Sequence, residues 1–334
     1  MGNMVDDTDP DSVAALIRAV GRRSVPPRED YERVLGASRV AWQRAVRQRT
    51  RRRWTYALAA GVAVVVLSVG VLRQIDDLHP TVVAGNLTTV SGAVFVGTAA
   101  GDEWRWLNES GVPLTTGTRL RTDASGSAAL RLLPDTSLRI AGSTDLLLQP
   151  GHRVELLEGR IYLDTGSTHS GTVEVVTRFG ILRDVGTQFE VLATGTNLRV
   201  RTREGAVTLT RGRSEAVLQC DVSEELRIDS QGNIERGRIA AYDAEWLWAE
   251  LLSEPPQGPE LSLLQFLDWV AREMGRGLRY DSPQTEARVS KVILHGTPPD
   301  LAPAQALEVA LATTDIGYSL PDDGTILLRY RQSP

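Results

Sequence analysis

The stretch LRLLPDTSLRIAGSTDLLL, residues 130–148, decides the fold class of most of this chain. Leu130 and Leu132 alternate with outward positions, and Pro134-Asp135 supplies a turn. Two further apolar stretches follow at 138–140 and 146–148. Alternation of apolar and polar residues between turn residues is typical of half-buried strands. This stretch therefore predicts strand, turn and strand.

The same pattern continues along the chain at a spacing of about 8–12 residues, which indicates an all-β domain. Further strands are predicted at 154–156, 161–163, 173–176, 189–191, 198–200 and 207–209. Glycines suited to turns lie between them: Gly142, Gly151, Gly159, Gly166, Gly195 and Gly205. An aromatic content of only 5% also favours short strands over a large helical core. We predict a mainly β domain at 88–238, with many short antiparallel strands in a sandwich or solenoid-like arrangement.

A different pattern follows the Pro-containing linker at 254–259. Apolar residues at helical spacing predict an amphipathic helix from Leu261 to Met274. Strands are predicted at 278–280 and 289–294, with a second helix at 303–312 that Asp300 could cap. A closing hairpin, 316–320 with 325–328, turns at Asp322-Asp323-Gly324. We predict a helix and linker at 239–258 and a small α+β module of βαβ type at 259–332.

Residues 54–72, WTYALAAGVAVVVLSVGVL, are 19 residues without a charge. As a helix they span about 28 Å, close to the thickness of the bilayer core. Residues 34–53 hold seven arginines, whereas residues 73–92 hold only Arg73. The positive-inside rule then places the N-terminus in the cytoplasm. We predict a single-pass protein of a bacterial inner membrane, with a linker at 73–87 and periplasmic domains after it. The alternative is a buried core helix.

Charge and composition narrow the function classes. Residues 73–334 hold 25 Lys/Arg against 35 Asp/Glu, and such an acidic region does not suit nucleic acid as a partner. The single cysteine, Cys220, excludes an internal disulfide and a cysteine-based zinc site. The histidines are scattered, and no Ser–His–Asp set or carboxylate pair presents itself. We therefore predict no enzyme activity, no metal site and no cofactor.

The N-terminal segment, residues 1–53, carries two helical apolar stripes separated by Pro26-Pro27. About 40 residues cannot bury enough surface to be stable alone, so we expect these helices to fold against a partner protein. They could instead pack on each other or lie along the anionic membrane surface. The candidate partner-binding face consists of Leu16, Ile17, Val20, Tyr31, Val34, Leu35 and Trp42.

Four stretches resemble the FecR family, in the order that the family has them. The first is 130–148 and the second is RVELLEGRIYLDTG at 153–166. The third, VEVVTRFGILRDVGTQFEV at 173–191, contains the motif Gly-Thr-x-Phe at Gly186, Thr187 and Phe189. LRVRTREGAVTL at 198–209 completes the set. Residues 16–43 are similar to one subgroup of FecR-like regulators, and the C-terminal module resembles the STN module of secretins and TonB-dependent transducers.

The resemblance implies a transmembrane regulator of an extracytoplasmic-function sigma factor. In such proteins the export-side domain receives a signal, often from an outer-membrane transducer, and the cytoplasmic segment binds the sigma factor and inhibits or activates it. The implied partners are a sigma factor and an outer-membrane transducer or another envelope protein. The alternative is a periplasmic adaptor or structural module, anchored in the inner membrane, without control of a sigma factor.

The resemblance also implies a candidate self-cleavage bond. Some FecR relatives are thought to break their Gly-Thr bond by shifting the acyl group from nitrogen to the threonine hydroxyl, and Gly186-Thr187 is the matching pair. The alternative is a glycine at a strand bend and a threonine that faces the sheet.

Overall fold

The computed structural model describes residues 10–21, 27–30, 32–33, 36, 38, 82–99, 103–133, 136–166, 172–212, 216–258, 260–296 and 301–331. The chain divides into two compact units, Met1–Pro80 and Thr81–Pro334. In the first unit, helix α1 spans Pro10–Ala19. Gly21, with φ of +70°, follows it in the left-handed conformation that commonly ends helices.

The predicted transmembrane helix at 54–72 lies outside the described residues, as does most of the predicted linker at 73–87. Within the described part of the chain, no helix is long and apolar enough to cross a membrane. The first strand begins at Val83, inside the segment predicted as linker.

Most of the second unit is β-structure, which confirms the mainly β prediction. Among the described residues, fifteen strands form one hydrogen-bonded sheet. They are β1 (Val83–Ser91), β2 (Val94–Thr98), β3 (Arg105–Leu107), β4 (Pro113–Thr115), β5 (Thr118–Thr122), β6 (Ser127–Leu133), β7 (Thr136–Ile140), β8 (Asp145–Gln149), β9 (Arg153–Asp164), β10 (Glu174–Thr177), β11 (Gly180–Ala193), β12 (Asn197–Arg211), β13 (Ala216–Asp221), β14 (Glu224–Asp229) and β15 (Ile234–Arg238).

Ten of these strands follow the order β15-β14-β12-β11-β10-β9-β7-β6-β1-β4, and β11 also pairs directly with β9. The other five, β2, β3, β5, β8 and β13, pair off this path. The described pairings in this sheet are antiparallel except for that of β9 with β10. The sheet encloses one hydrophobic core, to which Leu130, Leu138, Ile140, Leu146 and Leu148 contribute side chains that are at most 1% exposed. The alternation that predicted these strands therefore reflects burial on one face of the sheet.

Two of the glycines predicted to form turns lie inside long strands. Gly159 (φ +104°) lies within β9 and Gly205 (φ +72°) within β12. The separate strands predicted at 154–156 and 161–163 are thus one strand, as are those at 198–200 and 207–209. At Gly159 a Cβ atom would come within 2.4 Å of the Thr144 Cα. Some tight turns and some strand bulges both place a glycine at positive φ, so the glycine pattern alone could not separate them.

After β15 the chain enters a 3-10 helix, Ala244–Trp246, continued by α2 (Leu247–Glu250). The C-terminal module then contains β16 (Leu261–Ser262), α3 (Leu263–Glu273), β17 (Gly277–Tyr280), α4 (Pro283–Val289), β18 (Ile293–Leu294), α5 (Pro303–Ala312), β19 (Ile316–Ser319) and β20 (Thr325–Tyr330). Strands β16 and β18 form one small sheet, and β17-β20-β19 form another. The C-terminal module has its own hydrophobic core, to which its helices contribute and whose residues lie between Leu261 and Leu328 in the sequence.

The predictions for this module were right for α3, α5 and the β19–β20 hairpin. The strand predicted at 289–294 was wrong in its first part, because Val289 ends α4 and only Ile293–Leu294 form a strand. The sequence carried the signal for α4. The Ser282 hydroxyl accepts from the Thr285 N–H at 3.3 Å, and Pro283 opens the helix. Strands β17 and β20 pair in parallel with α4 and α5 between them in the chain, as a βαβ-type module requires, whereas β18 pairs with β16 in the other small sheet. Asp300 lies outside the described residues, and Ala302 takes the N-cap position of α5.

Candidate functional site

The structure describes the predicted partner-binding face in α1 and at Val20, which follows this helix. Leu16 lies within this helix. Ile17 and Val20 are 70% and 69% exposed. Ile17 lies in α1 and Val20 directly follows its last residue, and exposed apolar side chains of this size are available to a partner. Tyr31, Val34, Leu35 and Trp42 lie outside the described residues.

The Gly186-Thr187 pair forms a bulge in β11. Val185 pairs with Ala206 of β12, whereas Gln188 pairs with Glu204, so two residues of β11 face only Gly205. Gly186 has φ of +64°, and no atom lies within 4 Å of the position that a Cβ would take. The backbone conformation, and not lack of space, therefore calls for glycine here.

Thr187 is fully buried beside this bulge. Its N–H donates to the Thr165 Oγ1 at 2.8 Å, and its carbonyl accepts from the Thr165 N–H at 3.1 Å. The Thr187 Oγ1, in contrast, has no hydrogen-bond partner among the described residues. Buried hydroxyls are normally hydrogen-bonded. The Thr187 hydroxyl, however, lacks a hydrogen bond in the described part of the chain, and the carbonyl carbon of Gly186 is bonded to the nitrogen of the same residue.

The residue after Thr187 connects the bulge to charged groups. The Gln188 Nε2 donates to the Asp164 Oδ2 at 2.8 Å. The guanidinium of Arg272 donates to the other oxygen of Asp164 at 2.5 Å and to the Glu204 carboxylate. Burial would raise the pKa of Asp164, but the hydrogen bond and charge of Arg272 outweigh burial and hold that pKa below its usual value.

A second ion pair joins the β domain to the C-terminal module. Arg139 on β7 donates to both carboxylate oxygens of Glu273 on α3, each at 2.7 Å. The two side chains are 2% and 5% exposed. Burial disfavours the charged guanidinium, yet Glu273 outweighs burial and raises the pKa of Arg139. The Arg139 Nη1 also donates to the Ala249 carbonyl at 3.0 Å.

The segment between the two domains is held on the β domain by further contacts. The Arg203 Nη2 donates to the Glu250 Oε1 at 2.7 Å, and burial raises the pKa of Glu250. Trp246 and Trp248 pack edge-on against Tyr162, with ring centroids 6.0 and 6.5 Å away. These tryptophans therefore pack against the sheet.

Sequence reasoning missed these charged contacts between domains. One signal was present: Arg139 stands between the core residues Leu138 and Ile140, and Glu190 stands between Phe189 and Val191. A charge on a strand whose neighbours point into the core must lie on the other face. Full burial of that charge shows that a second layer covers this face. The described part of the chain brings together no group of three or more His, Cys, Asp or Glu side chains that could hold a metal ion.

Comparison with known families identifies a FecR domain in this chain. Residues 118–208 match the family described as FecR protein. The match begins at the first residue of β5 and ends within β12, and it includes Gly186, Thr187 and Phe189. The FecR part of the predicted resemblance is thereby confirmed for these residues, whereas the STN likeness of the C-terminal module stays a prediction. A comparison with curated proteins found no match.

Among solved structures, the chain is similar to two crystal structures of a candidate anti-sigma factor from Parabacteroides distasonis, at 2.50 and 1.65 Å resolution. Both are 17% identical to this chain, and the similarity covers 64% of this chain and 99% of theirs. The TM-scores are 0.34 and 0.33. A likeness at this level says nothing about the activity of the present chain.

Proposed function

We propose that this protein is a single-pass transmembrane regulator of an extracytoplasmic-function sigma factor. The FecR domain at 118–208 is the observation that carries the proposal. Residues 1–53 bind the sigma factor in the cytoplasm, residues 54–72 cross the inner membrane, and the domains that follow receive a signal in the periplasm.

The partner face supports this proposal. Ile17 on the first helix and Val20 just after its end both present exposed apolar side chains, and an amphipathic helix of this kind suits an apolar groove on another protein. The signal passes from protein to protein, without chemistry on an external substrate. The C-terminal module, with its STN-like order of elements, is the candidate contact for an outer-membrane transducer.

The experiment is co-purification of the full chain from bacterial membranes, with identification of the proteins that accompany it. We expect a sigma factor, and we expect Ile17→Asp and Leu35→Asp to remove it because a charge on the apolar face must be desolvated on binding. The matched control is Val217→Asp, the same type of change at a side chain that is 60% exposed on β13. It should leave the complex intact. If no sigma factor accompanies the unchanged chain, the periplasmic adaptor becomes the better interpretation.

A second candidate function is self-cleavage at Gly186-Thr187. The positive φ of Gly186 and the buried Thr187 hydroxyl without a partner in the described structure favour it. The Thr187 Oγ would attack the Gly186 carbonyl carbon, the C–N bond would break, and the hydroxyl proton would pass to the nitrogen. This step produces an ester and a free amine, and water then cleaves the ester into two chains.

Electrophoresis of the purified full chain tests this second function. Cleavage predicts two fragments that meet at residue 186, lost in Thr187→Ala and retained in Thr187→Ser, which keeps a hydroxyl. A single full-length band for the unchanged chain would contradict it. The structure would then contain only a strand bulge with a buried threonine.

A further inference from the structure

The β domain and the C-terminal module have separate hydrophobic cores. The core residues of the β domain lie between Leu87 and Ile228 in the sequence, and those of the module lie between Leu261 and Leu328. A third cluster of Tyr162, Ile239, Trp246 and Ala249 packs the connecting segment on the β domain and contains no residue of the module. Apolar packing therefore fixes the connecting segment to the sheet, whereas none of these three clusters of described residues joins the module to the β domain.

Ion pairs and hydrogen bonds connect the module to the β domain and the connecting segment. Glu273 receives both hydrogen bonds of Arg139, and Arg272 reaches Asp164 and Glu204. At the edge of the module, the Tyr242 hydroxyl donates to the Asp322 carbonyl at 2.8 Å. Interfaces between domains that lack a large apolar area commonly permit relative motion. Buried ion pairs specify a docked geometry more than they stabilise it, because desolvation offsets much of their attraction.

The position of Arg272 connects docking to the bulge. Gln188 lies between two cross-strand neighbours, Asp164 on β9 and Glu204 on β12. Arg272 binds the carboxylates of both neighbours. One guanidinium from the module therefore bridges strand β11 at the residue that follows Thr187. The Asp164 carboxylate that it holds is the same group that accepts the Gln188 side-chain amide.

We propose that the C-terminal module, residues 260–331, is a releasable clamp on the Gly186-Thr187 bulge. In the docked state Glu273 anchors the module, and Arg272 holds β9, β11 and β12 together beside the bulge. When the module undocks as a unit about the irregular segment 253–258, both cores stay folded and the bulge opens. A protein that binds the module could thus change the accessibility of the Gly186-Thr187 bond. This device does not depend on the identity of the cytoplasmic partner.

Hydrogen exchange of the full chain in lipid nanodiscs, read by mass spectrometry, tests the clamp. The reporters are the backbone amides of Thr187 and Thr165. The Thr187 N–H donates to the Thr165 Oγ1, and the Thr165 N–H donates to the Thr187 carbonyl, so both hydrogen bonds lie at the bulge. Glu273→Gln is the decisive variant, because Glu273 contacts neither Asp164 nor Gln188 in the described hydrogen bonds. We expect it to raise exchange at both reporters by about tenfold or more, since it removes the carboxylate that is hydrogen-bonded to the buried guanidinium of Arg139.

Arg272→Gln should act in the same direction, and it is a milder change because this side chain is partly exposed. The matched control is Arg279→Gln, which removes an exposed arginine of the same module that pairs with Asp323. It should leave both reporters unchanged. Amides of α5 and β8 report on the two cores and should not change in any of the three variants.

Two outcomes would overturn the proposal. If Glu273→Gln leaves the reporters at Thr165 and Thr187 unchanged, docking does not control the bulge. If exchange in α5 and β8 rises together with the reporters, the two domains open as one body, and the module is not released separately.

Discussion

The ion pair between Arg139 and Glu273 gives the sharpest test of how the two domains hold together. Replacement of Glu273 by Leu removes the carboxylate but leaves the Arg139 guanidinium in a site where its side chain is 2% exposed. A buried charge that loses its partner typically costs about 3–5 kcal/mol of folding free energy. The bond from Arg139 to the Ala249 carbonyl remains and, at about 1 kcal/mol, cannot compensate for that loss.

The double variant Arg139→Leu/Glu273→Leu removes both charges together. Apolar replacement of a whole buried pair is often close to neutral, so we expect the double variant to recover most of the loss seen in Glu273→Leu. The assay is urea unfolding of the full chain in detergent, followed by far-UV circular dichroism, with the free energy of unfolding extrapolated to water. The same cycle with Arg279→Leu and Asp323→Leu, an exposed pair, should give a coupling of at most about 1 kcal/mol.

If Glu273→Leu lowers the free energy of unfolding by less than about 1 kcal/mol, the pair contributes no more than an exposed one, and its burial does not have the effect described. A double variant as unstable as the sum of the two single variants would refute the reasoning equally, because the two charges would then act independently.

Three further predictions concern single sites. Gly186→Ala should lower the free energy of unfolding by about 1–2 kcal/mol, because an alanine at φ of +64° is strained even with free space around it; an unchanged urea midpoint would show that the bulge can adopt another conformation. The pKa of Asp164 lies below its ordinary value of 3.8, so its charge stabilises the fold above that pH, and this stabilisation is lost as the pH falls below it. The stability of Asp164→Asn should therefore fall less with decreasing pH than that of the unchanged chain, and identical acid unfolding curves for the two proteins would contradict the assignment. Burial raises the pKa of the Cys220 thiol, which is 1% exposed; it should resist a thiol reagent at pH 8 until urea unfolds the β domain, and rapid labelling of the folded chain would disprove that burial.

Local patterns in the sequence were sufficient for several elements of this structure. Helix α5 occupies the predicted residues 303–312, and the β19–β20 hairpin turns at the predicted Asp322-Asp323-Gly324. Both predictions depend on spacing and turn chemistry within about a dozen residues. The Gly-Thr motif was likewise visible, because Gly186, Thr187 and Phe189 stand close together in the chain.

Glycine was the main source of error. Gly159 and Gly205 were interpreted as turn residues, but each lies in a continuous strand. A glycine with positive φ reverses the chain only if the strands on its two sides pair with each other. At Gly159 they do not, since β9 continues on to pair with β7 and β11. Which of these outcomes occurs depends on partner strands that are distant in the sequence.

The alternating strands, the amphipathic helices, the uncharged segment at 54–72 and the motif at Gly186-Thr187 can all be found in the sequence, because each is a pattern among neighbouring residues. The pairing of Arg139 with Glu273, and of Arg272 with Asp164 beside the bulge, became visible in the folded chain alone. These partners are separated by more than a hundred residues. Any of the many arginines could pair with any carboxylate, and a sequence does not show which faces meet. The packing of the module against the sheet selects these pairs, because a buried charge is tolerated only where a counter-ion is buried with it.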